Sequence, residues 1–195
     1  MVEFFAQKKR NRPIAITDIA ILKVPRVHIF GFKEDEDIFI QKMHQKLLTM
    51  SKELNASKEV GIMIDIIEWQ TWPILGDANE VETKKNPDAY IALKSYRKNT
   101  LIFMHNHPST GTFSGVDFKT FCDNDTLYAM TVVGNDGSVY TLTKVAGFDS
   151  GKALAYYHDL AMNTYKEYVN NGTMAMKELL ENCEKIGLIY GKGGR

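Results

Sequence analysis

Neither sign of charge is in excess in this chain. Lysine and arginine together number 24, as do aspartate and glutamate, so no net field draws the protein to nucleic acid or to an anionic membrane. Cysteine is scarce: Cys122 and Cys183 cannot make a disulfide framework in a chain of 195 residues. No apolar run approaches the ~20 residues that a membrane span requires. The opening stretch MVEFFAQKKR has its basic residues after its short apolar patch, the reverse of a secretory signal. Together these absences predict a cytoplasmic protein with reduced thiols, in which Asn171-Gly172-Thr173 means little as a glycosylation acceptor. The main basic cluster, QKKRNR at 7–12, lies near an end and reads as a solvated tail rather than a nucleic-acid arm.

What is present is an ordinary globular composition, 44% hydrophobic and 25% charged, enough for the core of one domain. Residues 1–33 read as an N-terminal arm, in which 14–32 mix β-branched residues with a proline and predict one or two short strands or an extended segment. Apolar residues at 39, 43, 47 and 50 keep helical spacing behind an acidic start, predicting a helix of about five turns that closes near Asn55. Residues 59–69 are rich in isoleucine and valine and predict a strand, with Asp65 and Glu68 solvated at its end. TWPILGDANEVE reads as a turn followed by a short edge segment. Pro87 and Asp88 open a helix, and residues 100–105 form a buried strand. The clearest hairpin runs from Leu127 to Val145 around Asp136-Gly137, which supplies the positive φ such turns need. Residues 151–186 return to helical spacing with a break at Asn171-Gly172, and GKGGR ends as a loose tail. The class is therefore α/β with a mixed sheet flanked by helices. Its parts are an N-terminal arm (1–33), a core (34–148) and a C-terminal helical segment (149–195), one domain overall.

The chemistry concentrates in LIFMHNHPSTGTFSGVD, residues 101–117. Alternate residues of a strand share a face, so His105 and His107 project together beyond the strand's end. Pro108 then stops the ladder, having no N–H to give. Ser114 and Asp117 lie one helical turn apart at the start of the next segment. Two imidazoles and a carboxylate with one position open for water is the donor pattern of a catalytic rather than a structural zinc site. Two plainer readings compete. A histidine on an apolar strand is more often a satisfied core residue than a ligand, and Ser-x-x-Asp is also the signature of a helix capping box.

The combination of HNHP with SGVD resembles the metal site of the JAMM (MPN+) metalloproteases and their bacterial, RadC-like relatives. Their pattern is an upstream glutamate, then His-x-His-Pro, then Ser-x-x-Asp. The resemblance covers roughly residues 36–145 in element order, and it implies a cytidine-deaminase-like JAMM architecture. One feature departs: the family usually has seven residues between the second histidine and the serine, where PSTGTF supplies six. That places the chain nearer divergent bacterial or phage-associated forms than the eukaryotic deubiquitinases.

Carried over residue by residue, the resemblance implies that His105, His107 and Asp117 bind Zn²⁺ and a water completes the site. Ser114 would donate to the oxyanion, and a glutamate would serve as general base. KEVGIMID makes Glu59 the choice, with Gly61 close behind; Glu68, Glu80 and Glu82 are the other upstream candidates. The implied reaction is hydrolysis of a peptide or isopeptide bond in a protein or peptide substrate, with ubiquitin-like proteins among the candidates. His28, His44 and His158 are isolated and read as non-ligands. Trp69 and Trp72 read as packing residues or as groove lining, and Cys122 as a small core residue. Two alternatives remain: an inactive JAMM-fold binding module, and a metal-dependent nuclease suggested by the literal string His-Asn-His. The neutral charge and the lack of a basic face disfavour the nuclease.

Overall fold

A computed structural model describes residues 14–78 and 80–193; the basic cluster at 7–12 and the end of the tail lie outside the described residues. A six-stranded sheet in the order β2-β1-β3-β4-β5-β6 forms the middle layer. Its strands are β1 (Val60–Asp65), β2 (Thr71–Leu75), β3 (Leu101–His107), β4 (Leu127–Gly134), β5 (Val139–Lys144) and β6 (Leu188–Lys192). Every neighbouring pair is antiparallel except β3 and β4, which run parallel. A parallel pair needs a crossover, and here α4 (Gly115–Asp123) supplies it. The end of β3 and the start of α4 thus meet at one edge of the sheet.

Helices cover both faces, as a mixed α/β sheet requires. On one side α3 (Pro87–Ser95), α4, α5 (Ser150–Asp159) and α6 (Asn171–Glu181) pack with Phe103, Met130 and Leu142 of the sheet. On the other, α2 (Glu34–Leu54) lays Ile40, Leu47 and Leu48 against Ile62, Ile64, Ile102 and Met104. Because β1 and β3 are buried on both faces, residues 60–64 and 101–104 read as apolar runs rather than alternating ones, with the polar residues kept to the strand ends. Helix α2 ends with Asn55 as its C-cap, and Glu34, Asp35, Glu36 and Asp37 crowd its first turn, where the helix dipole favours negative charge. Helix α3 starts at Pro87, with the Asn86 side chain accepting the Ala89 N–H. Among the described residues no helix is long and apolar enough to cross a membrane.

Several local expectations are corrected. Within 14–32 there is no strand; instead a short helix, α1 (Asp18–Leu22), forms because the Thr17 side chain caps it by accepting the Ala20 N–H. Strand β1 stops at Asp65, not 69, and Trp69 adopts a φ of 56° in the turn that follows. Asp65 is not solvated: it is buried, and its carboxylate accepts the Ile67 N–H at 2.9 Å to shape that turn. Residues 71–75 are themselves the edge strand, with the turn after them. Pro73 suits an edge, since its missing N–H breaks no ladder bond and its carbonyl takes the Asn86 amide at 3.0 Å. The helical break falls at 165–170, after a π-helical turn (Leu160–Thr164), so Asn171 begins α6 instead of ending its predecessor. Finally, the tail is not wholly loose. Gly191 and Lys192 belong to β6, paired with Thr141 and Tyr140 of β5.

Candidate metal centre

Strand β3 sorts its side chains by alternation. Phe103, His105 and His107 face the α4 side, while Met104 and Asn106 face α2. Across the parallel pairing His107 lies beside Gly134, where an added Cβ would stand 3.0 Å from the Ser109 carbonyl. The glycine leaves the chain room to turn over β4 directly after the second histidine. The turn brings Ser114 to the N-cap of α4 and Asp117 to its first turn.

Three donor groups converge there. His105 Nε2 lies 3.2 Å from Asp117 Oδ1, His107 Nε2 lies 3.2 Å from Asp117 Oδ2, and the two Nε2 atoms are 3.1 Å apart. A tetrahedral ion with bonds of about 2.0–2.1 Å separates neighbouring ligands by about 3.3–3.4 Å. The Nε2–Nε2 distance and the distance from each Nε2 to its nearer Asp117 oxygen are close to that spacing, so the residues fit a metal ion, and these three make up the group able to hold one among the described residues.

The capping reading of Ser114 and Asp117 proves compatible with the ligand reading. Ser114 Oγ accepts the Asp117 N–H at 3.2 Å, and the Ser114 N–H donates to Asp117 Oδ2 at 2.6 Å. This reciprocal cap pins the carboxylate with its oxygens toward the imidazoles. Burial acts to raise the Asp117 pKa, but the charges and hydrogen bonds of His105 and His107 outweigh it and hold the carboxyl well below the usual range.

Neighbouring groups orient the imidazoles. His107 Nδ1 lies 3.3 Å from the Gly111 carbonyl, which favours a proton on Nδ1 and leaves the Nε2 lone pair for a metal. The His105 ring stacks on Phe103 with centroids 5.4 Å apart and planes 19° off parallel. Phe103 occupies that position because Gly61, paired with His105 across β1, has no Cβ; one placed there would sit 2.8 Å from the Phe103 ring and 2.8 Å from Val81. His105 Nδ1 has no hydrogen-bond partner among the described residues.

Of the glutamates, Glu59 stands just ahead of β1 and is 2% exposed. The β1–β3 register pairs Gly61 with His105, so extending it by two residues sets Glu59 across from His107 on the same face. Its carboxylate is not one of the three clustered donors. Glu68 lies in the exposed turn at the opposite end of β1, far along the sheet from the histidines. Glu80 and Glu82 are exposed on the loop after β2.

The isolated histidines serve elsewhere. His28 pairs with Asp37 at 2.7 Å, and His158 is exposed. His44 is fully buried against Thr131 Oγ1 at 2.7 Å, and burial pushes its pKa down to about 3. Trp72 packs edge-on to Tyr96 and Trp69 packs against Phe32 and Phe39, so both serve packing. Cys122 is buried in the α4 core, where burial pushes its thiol up to about 12. Sequence reasoning passed over Asn106 and Asn135. The available signal was a polar residue at 106, in the alternation that otherwise puts Ile102 and Met104 into the core. No family model matches the chain, and neither does any curated protein or solved structure.

Proposed function

We propose that this protein is a zinc-dependent hydrolase of the JAMM/MPN+ type, in the RadC-like branch, that cleaves a peptide or isopeptide bond. The single observation that supports the reading best is the convergence of His105 Nε2, His107 Nε2 and the Asp117 carboxylate at 3.1–3.2 Å. Two imidazole nitrogens and a carboxylate, each able to offer one ligand atom, suit zinc with one position left open. When bound, zinc would lower the pKa of a water in that position to about 7. Glu59, on the same face as the histidines, would take the proton and deliver it to the leaving amine. Ser114 Oγ uses a lone pair on the Asp117 N–H, so its own proton is left to donate to the oxyanion. The substrate is a protein or peptide, with ubiquitin-like proteins among the candidates and the cytoplasm as the compartment. Glu59's place outside the donor cluster favours a second reading, a metal-binding module of the same fold that does not hydrolyse.

The test is metal content by mass spectrometry on the wild type and on His107→Ala. About one zinc per chain, lost in the variant, supports the centre, and Glu59→Gln should then keep zinc while abolishing isopeptide cleavage. A wild type that holds no zinc even after refolding with the metal would end the hydrolase reading. Zinc retained with no isopeptide cleavage by the wild type would leave the binding module.

A further inference from the structure

We infer that Asn106, the residue between the two histidines, is a positioning residue that fixes Glu59 relative to them; this rests on the hydrolase reading above. Asn106 is fully buried on the face opposite the metal centre. Its Oδ1 accepts the Val60 N–H at 2.7 Å. Its Nδ2 donates to the Lys58 carbonyl at 3.2 Å, to Ser51 Oγ at 3.2 Å and to Asn135 Oδ1 at 2.8 Å. The residues on either side of Glu59 are therefore both tied to the residue on either side of which stand the two imidazoles.

The β1–β3 register runs from Asp65–Leu101 to Gly61–His105 and would next pair Val60 with Asn106. At that step the Asn106 side chain takes the Val60 N–H, so it carries the attachment of the two strands one residue further toward the site. The remaining bonds of this segment come from outside. Glu59 N–H donates to the Asp77 carbonyl at 2.8 Å, and its carbonyl accepts from Gly76 at 3.0 Å and Asn55 Nδ2 at 2.7 Å. Those contacts hold Glu59 to the loop after β2 and to the end of α2. The Asn106 side-chain bonds hold its neighbours to the histidine strand. Asn135 supports the arrangement from the far side, donating to the carbonyls of Ile14 and Ser57 at 2.7 and 2.9 Å.

Two measurements separate this role from a general structural one. Amide exchange of the wild type should show Val60 protected as strongly as Ile62 and Ile64; fraying at Val60 typical of a strand end would overturn the inference. In Asn106→Ala, exchange at Val60 should rise about tenfold, the scale of one lost hydrogen bond, while Met130 and Leu142 exchange as in the wild type. Asn106→Asp, which keeps the Val60 acceptor, should restore protection there.

The second measurement uses cobalt(II) in place of zinc, read by its visible absorption. Asn106→Ala should still bind about one cobalt per chain and should shift the band as Glu59→Gln does. A band that moves in Glu59→Gln but not in Asn106→Ala overturns the inference, as does loss of the metal in Asn106→Ala. If the wild type binds neither ion, or if neither variant moves the band, the hydrolase reading fails. The exchange result then decides the Val60 clamp on its own.

Discussion

The absence of a side chain at Gly61 sets the placement of His105, and Gly61→Ala tests that. The new Cβ would stand 2.8 Å from Phe103 Cε2, 3.2 Å from Phe103 Cζ and 2.8 Å from Val81 Cγ1. Carbon atoms settle at about 3.5–4.0 Å, so the ring must retreat by about 1 Å. Phe103 is buried within the core and its ring stacks on His105, so the retreat is passed to the imidazole. Metal–nitrogen bonds tolerate deviations of only about 0.2 Å. Overpacking of this kind costs about 1–3 kcal/mol of stability, and disturbing a group that orients a ligand weakens metal binding about 10–100-fold. We predict both effects in Gly61→Ala, the first by thermal or urea unfolding of the metal-free protein, the second by competition for zinc with a chromophoric chelator. Gly61→Ala with Phe103→Leu should recover most of the affinity, since the smaller side chain makes room for the methyl group. A folded Gly61→Ala that holds zinc as tightly as the wild type would show that Phe103 does not transmit to His105.

Two buried basic side chains give predictions in pH. His44 titrates near 3 in the native protein against 6.5 when exposed, so between those values the unfolded chain binds the extra proton. Its contribution is present above pH 6.5 and is lost as pH falls toward 3, by up to roughly 5 kcal/mol. Urea midpoints across that range should fall more steeply in the wild type than in His44→Leu, and equal slopes would refute the assignment. Lys144 is 4% exposed, with its ammonium donating to the Asn124 carbonyl at 2.8 Å and lying 4.6 Å from the centre of the Phe121 ring. Burial lowers its pKa from 10.5 to about 8, so the unfolded chain binds more protons between these values and stability should rise with pH there by about 3 kcal/mol. Lys144→Met should lack that rise, as unfolding at pH 7 and pH 10 would show; a rise of the same size in the variant would place its origin elsewhere.

The candidate metal centre was legible because its donors are local in sequence. His105 and His107 share a face through strand alternation, and Ser114 fixes Asp117 through a cap whose spacing is a sequence signature. The α2 helix and the Asp136-Gly137 hairpin were legible for the same reason, each carrying its own boundary signals. The elements that misled depend on partners far along the chain. Nothing local in LIYGK announces a strand; β5 supplies its reason. At 59–75 apolar content alone could not divide strand from turn, because the buried Asp65 and the positive φ of Trp69 decide where β1 ends. Asn106 illustrates the limit most clearly. Its residue type is visible, but Val60, Lys58, Ser51 and Asn135 become its partners only once the sheet and α2 are assembled.

The bond from Asn135 to the Ile14 carbonyl joins residues 121 positions apart, and it bears on the order in which the molecule is made. Closing a loop of that length costs about 4 kcal/mol in chain entropy beyond a constant term, before any contact repays it. A chain leaving the ribosome has both histidines and Asp117 long before Asn135, and longer still before β6 completes the sheet. During that interval β3 lacks its parallel neighbour β4, and the tie between Asn106 and Asn135 has not formed. Assembly of the candidate metal centre therefore belongs to the end of folding. An ion held by His105, His107 and Asp117 would then be selected by the finished protein, not by the nascent chain.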